Sequence, residues 1–353
     1  MKYSDIQITN FRSIAELKLE NFKKVNLITG RNNCGKTTVL EALFQISGMS
    51  NPQLPVAIHN FRDLSLKSDN DFNFIFHNLD FNQEPHISAT LDGVKRDLII
   101  KPEYTRNTEK VITNAKNNII AERINTTNTD ASSIVEGLAL EFKDGSRNLN
   151  FKSEISLLNG MQSIDSRYKE KLRCSFHNPQ LWMAMLPQKI EKLLVNKQMD
   201  GVIEALQEID PKITDIRIGT SGIIYMDVGL NKLLPINIMG DGIRRILSIL
   251  AAVSDMQGGI LLIDEIENGL HYSTLQTLWK ALRKALEVYY VQLFATTHSN
   301  ECIGALASSC NRVDKKSEHI RLYRIEKQDN KHQAFEYSPE MISAGIDGDI
   351  EMR

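Results

Sequence analysis

The chain carries Gly30-Arg-Asn-Asn-Cys-Gly35-Lys36-Thr37, which matches the phosphate-binding loop pattern G-x-x-x-x-G-K-[ST] at every fixed position. The apolar run 25–29 precedes this loop and predicts a buried strand, while residues 37–46 show the apolar periodicity of a helix. A strand, a glycine-bearing loop and a helix in this order are the context that the motif requires. The stretch therefore predicts an α/β P-loop fold whose ligand is a nucleoside triphosphate.

Each fixed residue of this loop has a chemical task. Gly30 and Gly35 let the backbone turn tightly, so that successive N–H groups point into one concavity and bind phosphate oxygens. Lys36 supplies a cation for the β- and γ-phosphates, and Thr37 offers a hydroxyl to a magnesium ion. The residues predicted here to bind the nucleotide are Gly30, Asn33, Gly35, Lys36, Thr37 and Thr38.

A second motif lies far downstream, where the apolar run Gly258-Gly-Ile-Leu-Leu-Ile ends in the carboxylates Asp264 and Glu265. This is a Walker B pattern. Neighbouring residues at a strand end point in different directions, so Asp264 can hold the magnesium ion while Glu265 faces the γ-phosphate and orients water. Thr37 and Asp264 are therefore the predicted metal residues, and Glu265 is a predicted catalytic residue.

A third strand is predicted over residues 291–297, and His298 follows it directly. Ligands of open parallel sheets gather at the edge where the strands end. His298 is therefore predicted as a second catalytic residue that bonds the γ-phosphate or the attacking water.

Another glycine-bearing stretch, Ile238-Met-Gly240-Asp241-Gly242-Ile-Arg244-Arg245, opens an apolar-periodic helix that is predicted to run to about Val253. Two glycines at a helix start form an anion site, yet the nucleotide already has a phosphate loop. A second site then indicates binding to a nucleotide held by another copy of the chain, and thus a homodimer or a higher oligomer. The alternative is a glycine-bearing helix start that binds nothing.

Composition limits the remaining classes of function. The chain has 353 residues, 42% of them hydrophobic, and a formal net charge of −2, so no global positive field draws it to nucleic acid or to an anionic membrane. Four cysteines fit neither a zinc site nor a disulfide framework, and no apolar run is long enough to span a bilayer. We expect a cytoplasmic protein, with a nucleotide-binding core at 1–100 and 211–353, an inserted or helical lobe at 101–210, and a polar loop near 114–130.

Taken together, these motifs resemble the ABC-type ATPase heads of the RecF, SMC and OLD-like group, which are also described as AAA-type ATPases. The opening Ile6-Gln-Ile-Thr-Asn-Phe-Arg-Ser-Ile14 looks like the N-F-[RK]-S element of this group. Asp264-Glu-Ile-Glu-Asn-Gly-Leu-His271 looks like Walker B running into the D-loop, and Phe294-Ala-Thr-Thr-His298-Ser looks like the switch-histidine segment.

The resemblance implies a P-loop NTPase of ABC-ATPase-head type, a mixed sheet flanked by helices with an additional α/β lobe, and ATP with Mg²⁺ as cofactors. It implies that Arg12 lies near the nucleotide, that Glu265 is the hydrolytic base, and that residues 267–271 line a dimer seam. The signature motif, which engages the ATP of the other protomer, would comprise Gly240, Asp241, Gly242 and Arg244. The chain departs from the family pattern in lacking the signature serine, and Gln180 is the candidate for its Q-loop.

The coupling partner of such an ATPase is left open by the sequence. No sustained heptads lie between residues 37 and 264, and 353 − 298 = 55 residues follow His298, so the chain is expected to be a compact head without a coiled coil or an attached nuclease domain. Resemblance to compact ATPases of bacterial phage-defence systems implies a separate effector protein, which could be a nuclease.

Two alternatives compete with an effector partner. The first is a RecF-like DNA-binding repair ATPase, for which segment 165–197 offers seven Lys or Arg against three acids. The second is a module that binds ATP without turnover, against which Glu265 argues.

Overall fold

Three sheets organise the chain. The computed structural model describes residues 1–104, 135–146, 149–177, 179–309, 319–329 and 331–347. One six-stranded sheet has the order β16-β15-β3-β14-β13-β9 and comprises β3 (Val25–Thr29), β9 (Cys174–His177), β13 (Ile260–Ile263), β14 (Gln292–Thr296), β15 (Ile320–Gln328) and β16 (Lys331–Tyr337). All of its strands are parallel except β16.

The second sheet is antiparallel, has seven strands and follows the order β2-β1-β4-β5-β6-β7-β8. Its strands are β1 (Tyr3–Phe11), β2 (Ile14–Leu19), β4 (His86–Leu91), β5 (Val94–Tyr104), β6 (Val135–Asp144), β7 (Asn150–Ser156) and β8 (Met161–Ser163). A small third sheet comprises β10 (Asp215–Ile218), β11 (Ile224–Asp227) and β12 (Leu234–Pro235).

The helices cover both faces of the six-stranded sheet. They are α1 (Lys36–Ser47), α2 (Leu54–Asn60), α3 (Pro179–Val195), α4 (Asp200–Gln207), α5 (Asp241–Asp255), α6 (Tyr272–Val288), α7 (Asn300–Ser308) and α8 (Pro339–Asp347). Within the described ranges, none of them combines the length and the apolar character that a bilayer span needs.

Two hydrophobic cores lie on opposite faces of the parallel strands. In β13 the alternate residues Ile260 and Leu262 join the core that contains α1 and the antiparallel sheet, while Leu261 and Ile263 join the core formed with α3 to α7. This alternation is the period of two that a strand imposes. The near-continuous apolar runs of β3, β13 and β14 are explained by burial on both faces.

Several predicted elements are confirmed, namely the strands β3, β13 and β14 and the helices α1 and α5. Segment 101–210 contributes to both large sheets, because β6 to β8 continue the antiparallel sheet and β9 forms an edge of the parallel one. Residue 100, at which the sequence placed a boundary, falls inside β5. The polar loop predicted near 114–130 and the cysteine at position 310 lie outside the described residues.

Candidate functional site

The P-loop connects β3 to α1 and is enclosed by other parts of the chain. Gly30 has φ 143°, and an added Cβ would lie 2.3 Å from the carbonyl oxygen of Ile325 and 2.7 Å from Cys34 Sγ. Gly35, with φ 95°, precedes the first turn of α1. Both positions need glycine, the first for lack of space and for its dihedral angle, the second for its dihedral angle.

The ammonium of Lys36 is held within this loop. Its Nζ donates to the carbonyl oxygens of Gly30, at 2.8 Å, and Arg31, at 3.1 Å. This places the cation beside the backbone that is predicted to bind phosphate, as the motif requires.

A compact network of oxygen atoms joins the P-loop to Walker B. Thr37 Oγ1 donates to Asp264 Oδ2 at 2.9 Å, and Thr296 Oγ1 donates to Asp264 Oδ1 at 2.5 Å. A hydroxyl and a carboxylate are hard donors of the kind that Mg²⁺ takes from proteins, its other ligands being water and phosphate. Within the described residues, no group of three or more His, Cys, Asp or Glu side chains could hold a metal ion.

Thr296 was not predicted as a functional residue, although it lies in the predicted third strand. The end of β14 lies beside β13, with Ala295 paired with Ile263. The hydroxyl of Thr296 therefore reaches the carboxylate of Asp264, which follows β13. The signal for it was a hydroxyl at the end of a strand adjacent to Walker B.

Glu265 and His298 lie together at this edge of the sheet. Glu265 has φ 48°, an uncommon conformation for a residue other than glycine, and its backbone N–H donates to Thr296 Oγ1 at 2.8 Å. The side chains of Glu265 and His298 are 50% and 54% exposed, and Glu265 Oε1 is 4.0 Å from His298 Nδ1. Both are therefore accessible to a ligand.

Glu267 is oriented differently from its neighbour. The sequence placed it at a dimer seam, but its side chain is only 9% exposed and points to the backbone of the switch segment. Glu267 Oε1 accepts from the His298 N–H at 2.9 Å and lies 3.2 Å from His298 Nδ1. By contrast, His271 and Tyr272, at the far end of the same segment, are exposed.

Arg12 lies in a buried ion network rather than at a free surface. Its Nε is 2.9 Å from Glu41 Oε2, and Glu41 also pairs with Arg62 through bonds of 2.6 Å and 3.0 Å. Burial lowers the pKa of Arg12 to about 10, against the attraction of Glu41. Arg62 was not predicted as a site residue, because no sequence motif indicates that it pairs with Glu41 of α1.

This ion network borders a cavity of about 370 Å³ beside the start of α1. Thr38, the residue after Thr37, lines the cavity together with Arg12 and Arg62. Phe74, whose side chain is 39% exposed, and His77 lie on another wall. The cavity therefore begins where the phosphate loop ends.

The predicted signature residues form a separate, open surface. Gly240, with φ 93°, precedes α5, and an added Cβ would meet no atom within 4 Å. Arg244 Nη1 donates to Asp241 Oδ1 at 3.2 Å, and Asp241 is 89% exposed. In the described part of the chain, no hydrogen bond or ion pair joins this loop to the P-loop or Walker B residues.

Gln180 lies in the first turn of α3, three residues after β9. Because His177 at the end of β9 pairs with Ile263 at the end of β13, the chain leaves the sheet beside Asp264. The topology thus brings the Q-loop candidate to the same edge as Walker B.

Comparison with known proteins gives concordant findings. A family model described as "AAA domain, putative AbiEii toxin, Type IV TA system" matches residues 25–303. The chain is 26% identical over 321 residues to an ATP/GTP phosphatase of Helicobacter pylori, covering 85% of this chain and 86% of the relative. It is 43% identical over 47 residues, 13% of each chain, to the DNA replication and repair protein RecF of Clostridioides difficile.

Among solved structures, an SMC head bound to the C-terminal winged-helix domain of ScpA superposes with a TM-score of 0.52 at 12% identity, covering 96% of this chain and 99% of the other. This confirms the predicted fold, a P-loop NTPase of the ABC-ATPase-head type with mixed sheets flanked by helices.

Proposed function

Because the chain belongs to the AAA-domain family that carries the AbiEii description, we propose that it binds and hydrolyses ATP with Mg²⁺, dimerises around the nucleotide and thereby controls a separate effector protein in antiviral defence. The observation that carries the proposal is the network of Thr37, Asp264 and Thr296, with Glu265 and His298 beside it at one edge of the parallel sheet.

The residues of this edge divide the chemistry between them. The P-loop amides and Lys36 bind the β- and γ-phosphates, and Thr37 and Asp264 hold the magnesium ion. When bound, the ion neutralises charge that develops on the phosphates. Glu265, exposed and hydrogen-bonded only weakly to Asn268 at 3.4 Å, accepts the proton of the attacking water.

The nucleoside is proposed to occupy the cavity beside Thr38. An α-phosphate bound at the start of α1 directs the sugar and base towards Arg12, Arg62 and Phe74. Two arginines share one glutamate there, which leaves a net positive charge for the anionic ligand. The partly exposed ring of Phe74 offers a surface on which a base can stack.

Dimerisation is supported by the open signature loop. Gly240 and Arg244 present a helix start and a cation with no partner beyond Asp241 among the described residues, which suits an anion supplied by another protomer. An effector partner is supported by the toxin–antitoxin wording of the family description and by an SMC head of the same fold that was solved with a bound ScpA domain.

The alternative, a RecF-like DNA-binding ATPase, is supported by the local match to RecF. Its predicted cationic segment 165–197 is less favourable in three dimensions. Arg167 pairs with Asp165 at 2.6 Å, and Lys189 and Lys192 each lie 2.6 Å from Asp255. Binding to duplex DNA that falls steeply with salt would favour this alternative, while co-purification of a second protein at high salt would favour the effector.

The dimer proposal is tested with Glu265→Gln, which removes the base and keeps the side-chain volume. With ATP and Mg²⁺, light scattering should show a stable dimer while turnover falls by about 100-fold or more. Glu16→Gln, at an exposed position in β2, is the matched control and should keep normal turnover. A Glu265→Gln protein that stays monomeric with saturating ATP would refute ATP-driven dimerisation.

A further inference from the structure

We propose that Glu267 is a positioning residue, which binds His298 through Nδ1 and thereby keeps the imidazole away from the catalytic base Glu265. This inference rests on the proposed ATPase function. It concerns the second of two glutamates in the same short segment, for which the sequence suggested a place at a dimer seam.

The two glutamates differ in burial. The Glu265 side chain is 50% exposed, whereas that of Glu267 is 9% exposed. Glu267 Oε2 is buried without a hydrogen-bond partner, and within the described part of the chain His298 is the only basic group within 4.0 Å of this carboxylate. A buried carboxylate is unfavourable unless it is paired. Its pairing with His298 is therefore what stabilises this arrangement.

The backbone fixes both partners before any ligand binds. The N–H of Ile266 donates to the carbonyl oxygen of Thr296 at 3.1 Å, and the N–H of Leu270 donates to the backbone carbonyl oxygen of Glu267 at 2.9 Å, so the segment turns back on the end of β14. On the other side, Glu267 Oε1 accepts from the His298 N–H at 2.9 Å. Ser299 caps α7 by accepting from the Cys302 N–H at 3.0 Å.

The distances around the imidazole explain the role. His298 Nδ1 is 3.2 Å from Glu267 and 4.0 Å from Glu265, so the ring has two carboxylates within reach and lies closer to the buried one. A carboxylate can accept the Nδ1–H of both a neutral and a protonated imidazole. With Nδ1 turned towards Glu267, Nε2 is the ring atom that is left to contact the γ-phosphate or the water, and Glu265 keeps its oxygens for that water.

Replacement of Glu267 should therefore lower kcat far more than it changes KM. Glu267→Ala lets His298 turn to Glu265, and we expect kcat to fall about 10- to 100-fold, as is typical when the partner of a functional histidine is removed. KM for ATP should stay within about threefold, because the buried Glu267 is not one of the residues proposed to bind the nucleotide. Glu267→Gln keeps an oxygen acceptor and the volume, and should fall between the wild type and Glu267→Ala.

A double-mutant cycle and a matched control separate positioning from a general loss of charge. In His298→Ala protein, the further change Glu267→Ala should leave kcat unchanged within about twofold. Glu301→Gln removes an exposed carboxylate that accepts from the Ser299 hydroxyl at 2.7 Å, and should keep wild-type kcat. Nitrogen-15 NMR of the His298 ring should show a protonated Nδ1 in the wild type and its loss in Glu267→Ala.

The outcomes distinguish this inference from the function on which it rests. Wild-type protein that binds no ATP would refute the proposed function. Wild-type protein that hydrolyses ATP, together with unchanged kcat in both Glu267 variants or with multiplicative losses in the cycle, would refute only the positioning role.

Discussion

Two glycine-bearing loops begin helices in this chain, and they are built in opposite ways. At Gly30 in the P-loop, an added Cβ would lie 2.3 Å from the carbonyl oxygen of Ile325. At Gly240, before α5, it would meet no atom within 4 Å. The start of the P-loop is thus packed against its own chain, while the start of the signature loop is uncovered.

The charged side chains of the two loops differ in the same way. Lys36 is tied to two carbonyl oxygens of the P-loop, and the arginines behind it share the fully buried Glu41. In the signature loop, the exposed Asp241 is the one ion-pair partner of Arg244 among the described residues. The proposed phosphate site is built by one chain, whereas the proposed signature site presents Arg244 and the start of α5 on an open surface. A site divided in this way suits a switch that closes only when a second protomer supplies the nucleotide.

The largest expected difference between the two loops is in ATP affinity. Lys36→Ala removes charge-assisted hydrogen bonds to the phosphates, and should weaken ATP binding by about 100-fold or more. Arg244→Ala should leave the affinity of dilute, monomeric protein within about threefold. Titration with a fluorescent ATP analogue measures both. Equal losses in the two variants would mean that the signature loop contacts ATP in cis, which would remove the contrast.

The next difference is in stability. Glu41→Gln leaves Arg12 and Arg62 without a counter-charge, and the Arg12 side chain is only 8% exposed. We expect a loss of about 3 kcal/mol in the free energy of unfolding, as for a broken buried ion pair. Asp241→Asn, which breaks an exposed pair, should cost less than about 1 kcal/mol. Urea unfolding measures the two values, and a loss below about 1 kcal/mol for Glu41→Gln would show that the network does not support the P-loop side.

The glycines themselves provide a third test. Gly30→Ala adds a clash with the backbone of β15 to an unfavourable φ, and should destabilise by about 3 kcal/mol. Gly240→Ala has space for the methyl group and faces only the dihedral cost, about 1 to 2 kcal/mol. Thermal unfolding of both variants measures which of them loses more stability. A larger loss for Gly240→Ala would mean that the signature loop is the more constrained of the two.

The sequence predicted only some of the residues on the P-loop side of this comparison. Gly30, Lys36, Thr37 and Asp264 belong to motifs in which local spacing carries the chemistry, so their elements could be predicted without the fold. The role of Glu41 became clear only from the fold, in which α1 brings it to Arg12, directly after β1, and to Arg62, in the turn after α2.

Contacts between side chains that are distant in the sequence could not be predicted, for the same reason. Thr296 acts across two neighbouring strands, and the inward orientation of Glu267 depends on the turn after β13. The spacing of residues in the sequence does not indicate such contacts, because the tertiary packing of strands and turns brings the two side chains together.

The last expected difference is in acid sensitivity and concerns His59, a buried neighbour of Arg12 on the P-loop side. Burial, with further contributions from Arg12 and Arg62, lowers the pKa of His59 to about 4. Below pH 6.5 the unfolded chain binds a proton that the folded chain does not, so this group destabilises the fold as the pH falls towards 4, by at most about 1.4 kcal/mol per pH unit. Urea unfolding at pH 7 and pH 5 should show that His59→Gln loses less stability on acidification than the wild type, by up to about 2 kcal/mol. His271→Gln, which changes the exposed histidine before α6, should follow the wild type. If both variants behave alike, the P-loop side has no special dependence on a buried neutral histidine.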